Sequence, residues 1–195
     1  MPDLPWPLPD RTDLRDSLLQ TYRRRSGYHD DHHLSEVLAR VDELGGGADD
    51  ALVLAAWFHD AVYDGDRDDE ERSAVLAETS LADTSADVTT VARLVRLTAT
   101  HSPEPGDRAG EILCDADLGI LAAAPERYRE YADGVRADYA HIDDAGFVEG
   151  RLAVLEDLLS REVLFHTAYA RTHWDTPARA NLTAEIEALR SAPVG

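Results

Sequence analysis

The sequence lacks several features that mark secreted and membrane proteins. It has a single cysteine, Cys114, among 195 residues, so no disulfide can form within the chain, which fits a reducing compartment. The apolar run from Ala51 to Phe58 is far too short to span a bilayer. The N-terminal MPDLPWPLPD has neither the basic start nor the apolar stretch of a secretion signal. We therefore expect a cytoplasmic protein with no membrane partner.

Lysine is absent, and the 19 basic residues, all arginine, are outnumbered by 39 acidic ones, which gives a formal net charge of −20. Such an acidic surface repels the phosphate backbone, so we expect no polymeric nucleic acid as a partner. It would also repel a small phosphorylated substrate unless a local positive site overcame the global field. A bound divalent metal ion could provide such a site.

Strand-type alternation is absent beyond a few residues, and apolar residues recur at helical spacing along the whole chain. This pattern predicts one all-α domain over residues 1–195, with residues 1–10 as an extended, proline-rich lead-in. A first helix is expected around Leu14 to Tyr22, with Asp10 as a plausible cap. The other predicted helices cover about 33–44, 51–63, 69–82, 86–100, 111–123, 126–142, 146–160 and 177–191, with a short piece near 161–166.

The predicted helix 51–63 is apolar nearly all round, which indicates a central, buried position, and Asp49 or Asp50 can cap it. His59-Asp60 interrupts this apolar segment. Imidazole and carboxylate groups are ligands for divalent cations, and burying both is costly without compensation. The alternative is a satisfied core histidine at a capped helix end.

Two more polar segments interrupt apolar patterns. His29 and His33 are four residues apart, so they share one face if the segment is helical, although a polar loop of surface histidines is the alternative. In the segment CDADL, Asp115 and Asp117 lie within an otherwise apolar helix. Because residues two apart on a helix point in different directions, we expect only one of these carboxylates to reach a metal ion.

The order His33, His59-Asp60 and Asp117 resembles the H…HD…D signature of the HD superfamily. More specifically, the chain resembles a family of predicted metal-dependent HD phosphohydrolases over about residues 28–182. One position departs from that family, because Asp69 stands where its members usually carry Asn. The stretches that carry the resemblance are YHxxxH (28–33), WFHDxVYD (57–64), ExxSA (70–74), DADLxIL (115–121), GR (150–151) and ARxNL (178–182).

The resemblance implies an HD-domain helical bundle, with a divalent metal ion held between helices by His33, His59, Asp60 and Asp117. Nitrogen plus hard oxygen ligands suit Mn, Fe, Co, Ni, Zn or Mg and do not decide among them. The expected function is hydrolysis of a small phosphorylated metabolite, with nucleotides among the options. A di-iron HD oxygenase and a non-catalytic ligand-binding HD module are the alternatives, and the oligomeric state stays open, a homodimer included.

Three residues near these ligands have candidate roles in the reaction. Asp64 follows Asp60 by one turn of the predicted helix, so it could orient or deprotonate the attacking water, or be a surface acid at a helix end. His29 could contact phosphate or a second metal ion. His101 lies where a predicted helix gives way to a proline-containing loop, a common position for a pocket rim, so it could do the same.

Two further residues are candidates for substrate binding, and two are expected to be structural. Glu70 could be a pocket acid, or a favourable charge at a helix N-terminus. Arg151 could bind phosphate, although an ion pair with an acid of this acidic chain is equally plausible. Arg179 and Asn181 are expected to tie the last helix back to the bundle.

Overall fold

The computed structural model describes residues 4–65 and 67–191, and all regular secondary structure within these ranges is helical. The all-α prediction is therefore confirmed for this part of the chain, in which no helix has the length and apolar character needed to cross a membrane. Turns of 3-10 helix occupy Pro9–Arg11 and Gly119–Ala122. The α-helices are α1 (Thr12–Arg23), α2 (Asp31–Glu43), α3 (Asp50–Phe58), α4 (Asp69–Leu81), α5 (Val88–Leu97), α6 (Arg108–Leu118), α7 (Pro125–Asp138), α8 (Asp144–Ser160), α9 (Ala168–His173) and α10 (Asp175–Ser191).

Helix α3 lies at the centre of the fold, as its apolar pattern predicted. All its residues from Leu52 to Phe58 are buried, and it packs against α2, α4, α5 and α6. The Asp49 side chain accepts the backbone N–H groups of Ala51 and Leu52, which caps the helix and satisfies two donors that have no partner within it. Of the two predicted caps, Asp49 is therefore the one used.

The C-terminal end of α3 is held by the N-terminal part of the chain. The Trp57 indole N–H donates a hydrogen bond of 2.7 Å to the carbonyl of Pro5, and the Trp6 ring packs edge-on against the Trp57 ring. The fully buried Tyr22 hydroxyl of α1 donates to the Trp57 carbonyl at 3.1 Å. These contacts fix the part of the backbone that leads into His59.

The prediction that the central helix continues to residue 63 is wrong, because α3 ends at Phe58. The chain then turns, and side chains of α4 satisfy its backbone groups. The Ser73 hydroxyl accepts the N–H of Val62 at 3.0 Å and lies 3.2 Å from its carbonyl oxygen. His59 and Asp60 therefore lie in the turn just after the helix, where a tertiary contact that the local pattern does not encode sets their position.

Asp69, the residue that departs from the HD pattern, holds the next part of the same turn. Its Oδ2 accepts the backbone N–H groups of Asp64 and Gly65 at 2.9 and 2.8 Å. Gly65 has a φ of +81°, in the left-handed region that glycine adopts without the clash of a Cβ. An acceptor oxygen is what this turn requires, and Asp69 supplies it.

Helix α10 closes the other side of the molecule by packing against α8, α9 and the 3-10 turn at 119–122. Arg179 donates hydrogen bonds to two carbonyl groups at the C-terminal end of α8. Asn181 donates to two carbonyl groups in and just after the 3-10 turn. Both side chains thus tie α10 to the bundle, as the sequence predicted.

The structure differs from two of the predictions near helix ends. Asp10 does not cap α1, because it lies inside the 3-10 turn Pro9–Arg11, and α1 starts at Thr12 without a side-chain cap. The prediction of a short helix near 161–166 is wrong, because these residues contain no helix, and the next helix is α9, which is capped by the Thr167 hydroxyl. Of the predicted lead-in 1–10, residues 4–8 contain no helix, and residues 1–3 lie outside the described residues.

Candidate metal centre

Four side chains from α2, α6 and the turn after α3 converge on one point, and they are the four predicted metal ligands. His33 comes from the first turn of α2, which starts there because the Asp30 carboxylate accepts the N–H groups of His32 and His33. His59 and Asp60 follow α3, and Asp117 lies in the last turn of α6. We call this candidate site for a metal ion the metal centre, and its four residues are His33, His59, Asp60 and Asp117.

The distances among His33, His59 and Asp60 are those expected of ligands around a shared ion. The two imidazole Nε2 atoms of His33 and His59 lie 3.1 Å apart. Asp60 Oδ2 lies 3.3 Å from Nε2 of His33 and 3.1 Å from that of His59, and Asp117 Oδ1 lies 3.3 and 3.6 Å from them. Ligands held about 2.0–2.2 Å from one ion stand roughly 3–3.5 Å apart. His33, His59 and Asp60 form a compact buried group that could hold a metal ion.

The other ring nitrogen of each histidine is also engaged. Nδ1 of His59 lies 2.8 Å from the carbonyl oxygen of Ala56, which can only accept, so this nitrogen carries the proton and the lone pair of a neutral ring is on Nε2. Nδ1 of His33 lies 2.8 Å from the Tyr28 hydroxyl. Such contacts orient metal-bound imidazoles in proteins. The role of Tyr28 was missed, although the tyrosine of YHxxxH was visible in the sequence.

The electrostatics of the metal centre favour a cation. Burial lowers the pKa of His33, but hydrogen bonds with Asp117 and Asp60 outweigh burial and raise it above its usual value. Burial also opposes charge on His59, yet the carboxylate of Asp60 raises its pKa well above the usual value. Burial raises the pKa values of Asp60 and Asp117, but the positive charge of His59 outweighs it as the main lowering effect. Both pKa values therefore lie well below the usual range. Without a metal ion, protons must therefore supply the positive charge between these groups.

A cavity of about 210 Å³ opens directly onto the metal centre, and we call it the inner cavity. Asp60 and Asp117 form part of its wall, so their carboxylates are accessible from it. His29, His101 and Glu70, three of the predicted substrate-binding residues, line it as well. The remaining lining residues are Tyr63, Gly65, Asp69, Thr98 and Tyr139.

His101 is bound to the second oxygen of a ligand carboxylate. Its Nε2 lies 2.8 Å from Asp117 Oδ2, so Asp117 contacts the metal-centre histidines through one oxygen and His101 through the other. His101 adopts a φ of +50°, an uncommon backbone conformation for a residue with a side chain. Strained conformations of this kind concentrate at functional sites.

His29 is oriented by Asp138, the last residue of α7. Nδ1 of His29 lies 2.7 Å from Asp138 Oδ2, and the imidazole stacks on the Tyr63 ring with a centroid distance of 3.8 Å. The same carboxylate oxygen accepts the backbone N–H of Tyr28 at 3.1 Å. A Cβ atom at Gly27 would overlap the Asp138 carboxylate, so glycine there leaves room for this contact. No local signal marks Asp138, because it lies 109 residues from His29 in the sequence.

Glu70 lies in the first turn of α4 and is partly buried in the wall of the inner cavity. Burial raises its pKa above the usual value for a glutamate. Its position at the helix N-terminus agrees with the structural alternative as well, since an acid there interacts favourably with the helix dipole.

Two predicted site residues are not brought to the metal centre. The Asp64 carboxylate forms an ion pair with Arg72 at 2.7 Å, its side chain is 60% exposed, and it lines neither the inner cavity nor the larger cavity described below. The premise that it lies one helical turn after Asp60 is wrong, because α3 has ended before it. Arg151 is buried and donates to both carboxylate oxygens of Glu185 at 2.8 and 3.1 Å, so its guanidinium already has an anionic partner.

The two acids of CDADL have different partners, as their spacing predicted. Asp117 faces the metal centre, whereas the buried Asp115 accepts the backbone N–H groups of His166 and Thr167 at 2.8 and 2.7 Å. Burial raises the pKa of Asp115, and these two N–H groups act in the opposite direction. Asp115 therefore anchors the segment that leads into α9, and Asp117 is the acid available to a metal ion.

Comparisons of this chain with protein-family models, with curated proteins and with solved structures found no match in any of the three. The likeness to HD proteins is therefore carried by the sequence motifs alone. The chemistry of this protein therefore rests on the metal centre and on the inner cavity that opens onto it.

Proposed function

We propose that this chain is an HD-type, cytoplasmic, metal-dependent phosphohydrolase that acts on a small phosphorylated metabolite. The observation that carries the proposal is the convergence of two imidazole nitrogens and two carboxylates at the wall of an open cavity. A structural cluster would have no need of an open side. Here Asp60 and Asp117 are accessible from the inner cavity, which leaves space for water and a phosphate group.

The metal centre fits a divalent cation by the chemistry of its donors. His33 and His59 would bind through Nε2, and Asp60 and Asp117 through one carboxylate oxygen each, a set that suits Mn, Fe, Co, Ni, Zn or Mg. When bound, such an ion lowers the pKa of a coordinated water and polarises a phosphoryl group. Its charge would also offset the net charge of −20, which otherwise repels an anionic substrate.

The residues around the inner cavity supply the remaining chemistry. Asp138 accepts a hydrogen bond from Nδ1–H of His29, which leaves Nε2 of this ring for a contact with the substrate or with water. His101, held by Asp117, offers a second imidazole on the same wall. Glu70, whose pKa is raised by burial, lines the same cavity and is the residue we propose to accept a proton from the attacking water.

An activity assay with matched variants tests this proposal. Purified protein is loaded with each candidate metal and assayed against a panel of phosphate monoesters and nucleotides. We expect hydrolysis by the wild type and by Asp133→Ala, which removes an exposed acid of α7, and no hydrolysis by Asp60→Ala. Activity that is unchanged in Asp60→Ala would overturn the proposal.

A di-iron HD oxygenase is the second candidate, and one contact favours it. Because the two oxygens of Asp117 face different histidines, this carboxylate could bridge two metal ions, with His101 as a ligand of the second. Metal analysis of the purified protein decides between the two functions. Two irons per chain would support the oxygenase, and one ion per chain, or only redox-inert ions, would exclude it.

A non-catalytic module is least favoured, because all four ligands are present.

A further inference from the structure

A second, larger cavity of about 940 Å³ continues from the inner cavity across the surface between α6, α7 and α8. Its volume lies within the range of pockets that enclose small organic ligands. The two cavities share several lining residues, so they adjoin at those residues. We call the part beyond these shared residues the outer groove. The shared residues are His29, Tyr63, Gly65, Glu70, Thr98, His101, Asp117 and Tyr139.

The outer groove is lined mainly by apolar side chains. Ile120 belongs to the 3-10 turn, Tyr131 to α7 and Phe147 to α8. Ile142 and Val154, which are 37% and 52% exposed, also line it and are two of the five exposed large hydrophobic residues in the described part of the chain. When an apolar ligand covers apolar side chains on a concave surface, their removal from water lowers the free energy and favours binding.

The charged side chains around α8 that line the outer groove are already paired within the protein. Arg161 forms an ion pair of 2.8 Å with Asp157, and Arg151 forms one of 2.8 Å with Glu185. Arg67 and His141 also line the outer groove. The candidate metal ligands thus lie at one end of the cavity. The other end has mainly apolar walls, and Arg151 and Arg161 there already have carboxylate partners.

We propose that the outer groove binds the apolar body of a substrate whose phosphate lies at the metal centre. The preferred substrate class is then a phosphate monoester of an apolar alcohol and not a nucleotide. This inference rests on the proposed function for the phosphate end. A nucleoside would place ribose hydroxyls and polar base edges against mainly apolar walls that satisfy few of them, whereas an alkyl or aryl body buries carbon against carbon.

Gly150 provides a direct way to test the outer groove. It lies within α8, lines the larger cavity, and a Cβ atom added to it would meet nothing within 4 Å. Gly150→Leu should therefore occupy space in the groove without a clash. Because leucine favours a helix over glycine, the variant should fold. Glu149→Leu is the matched control, since it introduces the same side chain at a neighbouring exposed position that does not line the groove.

The experiment measures the binding of non-hydrolysable n-alkylphosphonates, from methyl to octyl, to the full chain in the presence of Mn²⁺ by isothermal titration calorimetry. We expect the Kd to fall about three- to fourfold for each added methylene that enters the groove. Glu149→Leu should retain this dependence. Gly150→Leu should reduce the ratio of octyl to methyl affinity at least tenfold. A Kd that does not change with chain length, or a dependence that Gly150→Leu leaves intact, would overturn the inference.

Hydrolysis of n-alkyl phosphates and mononucleotides separates this inference from the proposed function. Chain-length-dependent binding without hydrolysis of any phosphate ester would contradict the phosphohydrolase and support the groove. Hydrolysis with a higher kcat/KM for mononucleotides than for octyl phosphate would contradict the groove and support the phosphohydrolase.

Discussion

Two largely buried polar clusters lie in this helical fold, and they balance their charges in different ways. In the arginine cluster, formed by Tyr128, Tyr131, Arg151 and Glu185, the guanidinium of Arg151 meets the carboxylate of Glu185 through two hydrogen bonds. The Tyr128 hydroxyl donates to the same carboxylate at 2.6 Å, and the guanidinium lies over the Tyr131 ring. Every charge of this cluster has its partner within the protein.

The metal centre has two carboxylates and two imidazoles, and within the described residues no arginine pairs with either carboxylate. Its positive charge must come from protons on the rings or from a bound cation. The comparison shows that burial of polar groups alone does not mark a functional site. The distinguishing features are an incomplete charge balance and access to a cavity, and the following changes test that difference.

Removal of one acid from the metal centre should have the largest effect. We expect Asp117→Ala to weaken the binding of Mn²⁺ at least about 100-fold, because a direct ligand should cost no less than its supporting residues do. Isothermal titration calorimetry measures this change, with circular dichroism to confirm that the helical content is kept. Retained affinity in a folded variant would remove Asp117 from the ligand set.

Removal of one acid from the arginine cluster should affect stability instead. Glu185→Ala leaves Arg151 buried without its ion pair, and we expect the free energy of unfolding to fall by about 3–5 kcal/mol with unchanged metal stoichiometry. Urea denaturation measures the loss. Glu187→Ala, which removes an exposed acid of the same helix, should change stability by no more than about 0.5 kcal/mol. A loss of bound metal in Glu185→Ala would show that the two clusters are not independent.

The pH dependence of stability should have opposite directions with and without metal. In EDTA, the raised pKa values of His33 and His59 mean that their stabilisation is complete below about pH 6.5 and is lost as the pH rises through those values. The lowered pKa values of Asp60 and Asp117 act oppositely, so that their stabilisation is present above about pH 4 and is lost as the pH falls through them.

With Mn²⁺ present, stability should instead increase with pH above about 6.5, because metal binding requires deprotonated imidazoles. Urea denaturation from pH 5 to pH 9, in EDTA and in Mn²⁺, measures both curves. The same slope in both solutions would show that protons and metal ions do not compete for this site.

Removal of one tyrosine hydroxyl from each cluster should have a smaller effect. Tyr28→Phe removes the hydroxyl that contacts Nδ1 of His33, so we expect the affinity for Mn²⁺ to fall about tenfold. Tyr128→Phe removes the hydroxyl that contacts Glu185, so it should lower stability by about 1–3 kcal/mol and leave metal affinity unchanged. Equal metal affinities in both variants would mean that Tyr28 does not orient the metal-binding ring.

The smallest effect is expected at Asp64, which the sequence alone proposed as a catalytic acid. Because its carboxylate is paired with Arg72 at the surface, Asp64→Asn should keep kcat/KM within about twofold of the wild type. A steady-state assay with the best substrate of the panel measures this. A large loss in kcat would show that Asp64 takes part in the reaction, which would require the turn after α3 to change its conformation.

The features that the sequence predicted are those with a local or repeated cause. Apolar residues at helical spacing predicted the all-helical fold, and the apolar faces of α3 predicted its central position. The HD pattern predicted that His33, His59, Asp60 and Asp117 would lie together. The two-residue spacing of Asp115 and Asp117 predicted that only one of them would face the metal centre.

The features that the sequence did not predict depend on contacts between distant segments. Helix α3 ends early where Ser73 and Asp69 of α4 bind the backbone that follows it. Asp138 orients His29 from another helix, and Gly27 makes room for it. The partners of Asp115 belong to the segment before α9. None of these contacts leaves a periodic pattern, so only the folded chain reveals them.

Anomalous diffraction from crystals of the full chain grown with Mn²⁺ tests the metal centre most directly. We predict an anomalous peak about 2.0–2.3 Å from Nε2 of His33 and His59 and from one carboxylate oxygen each of Asp60 and Asp117. No peak at this position at saturating Mn²⁺, with the imidazoles hydrogen-bonded directly to the two carboxylates, would contradict the proposed metal centre.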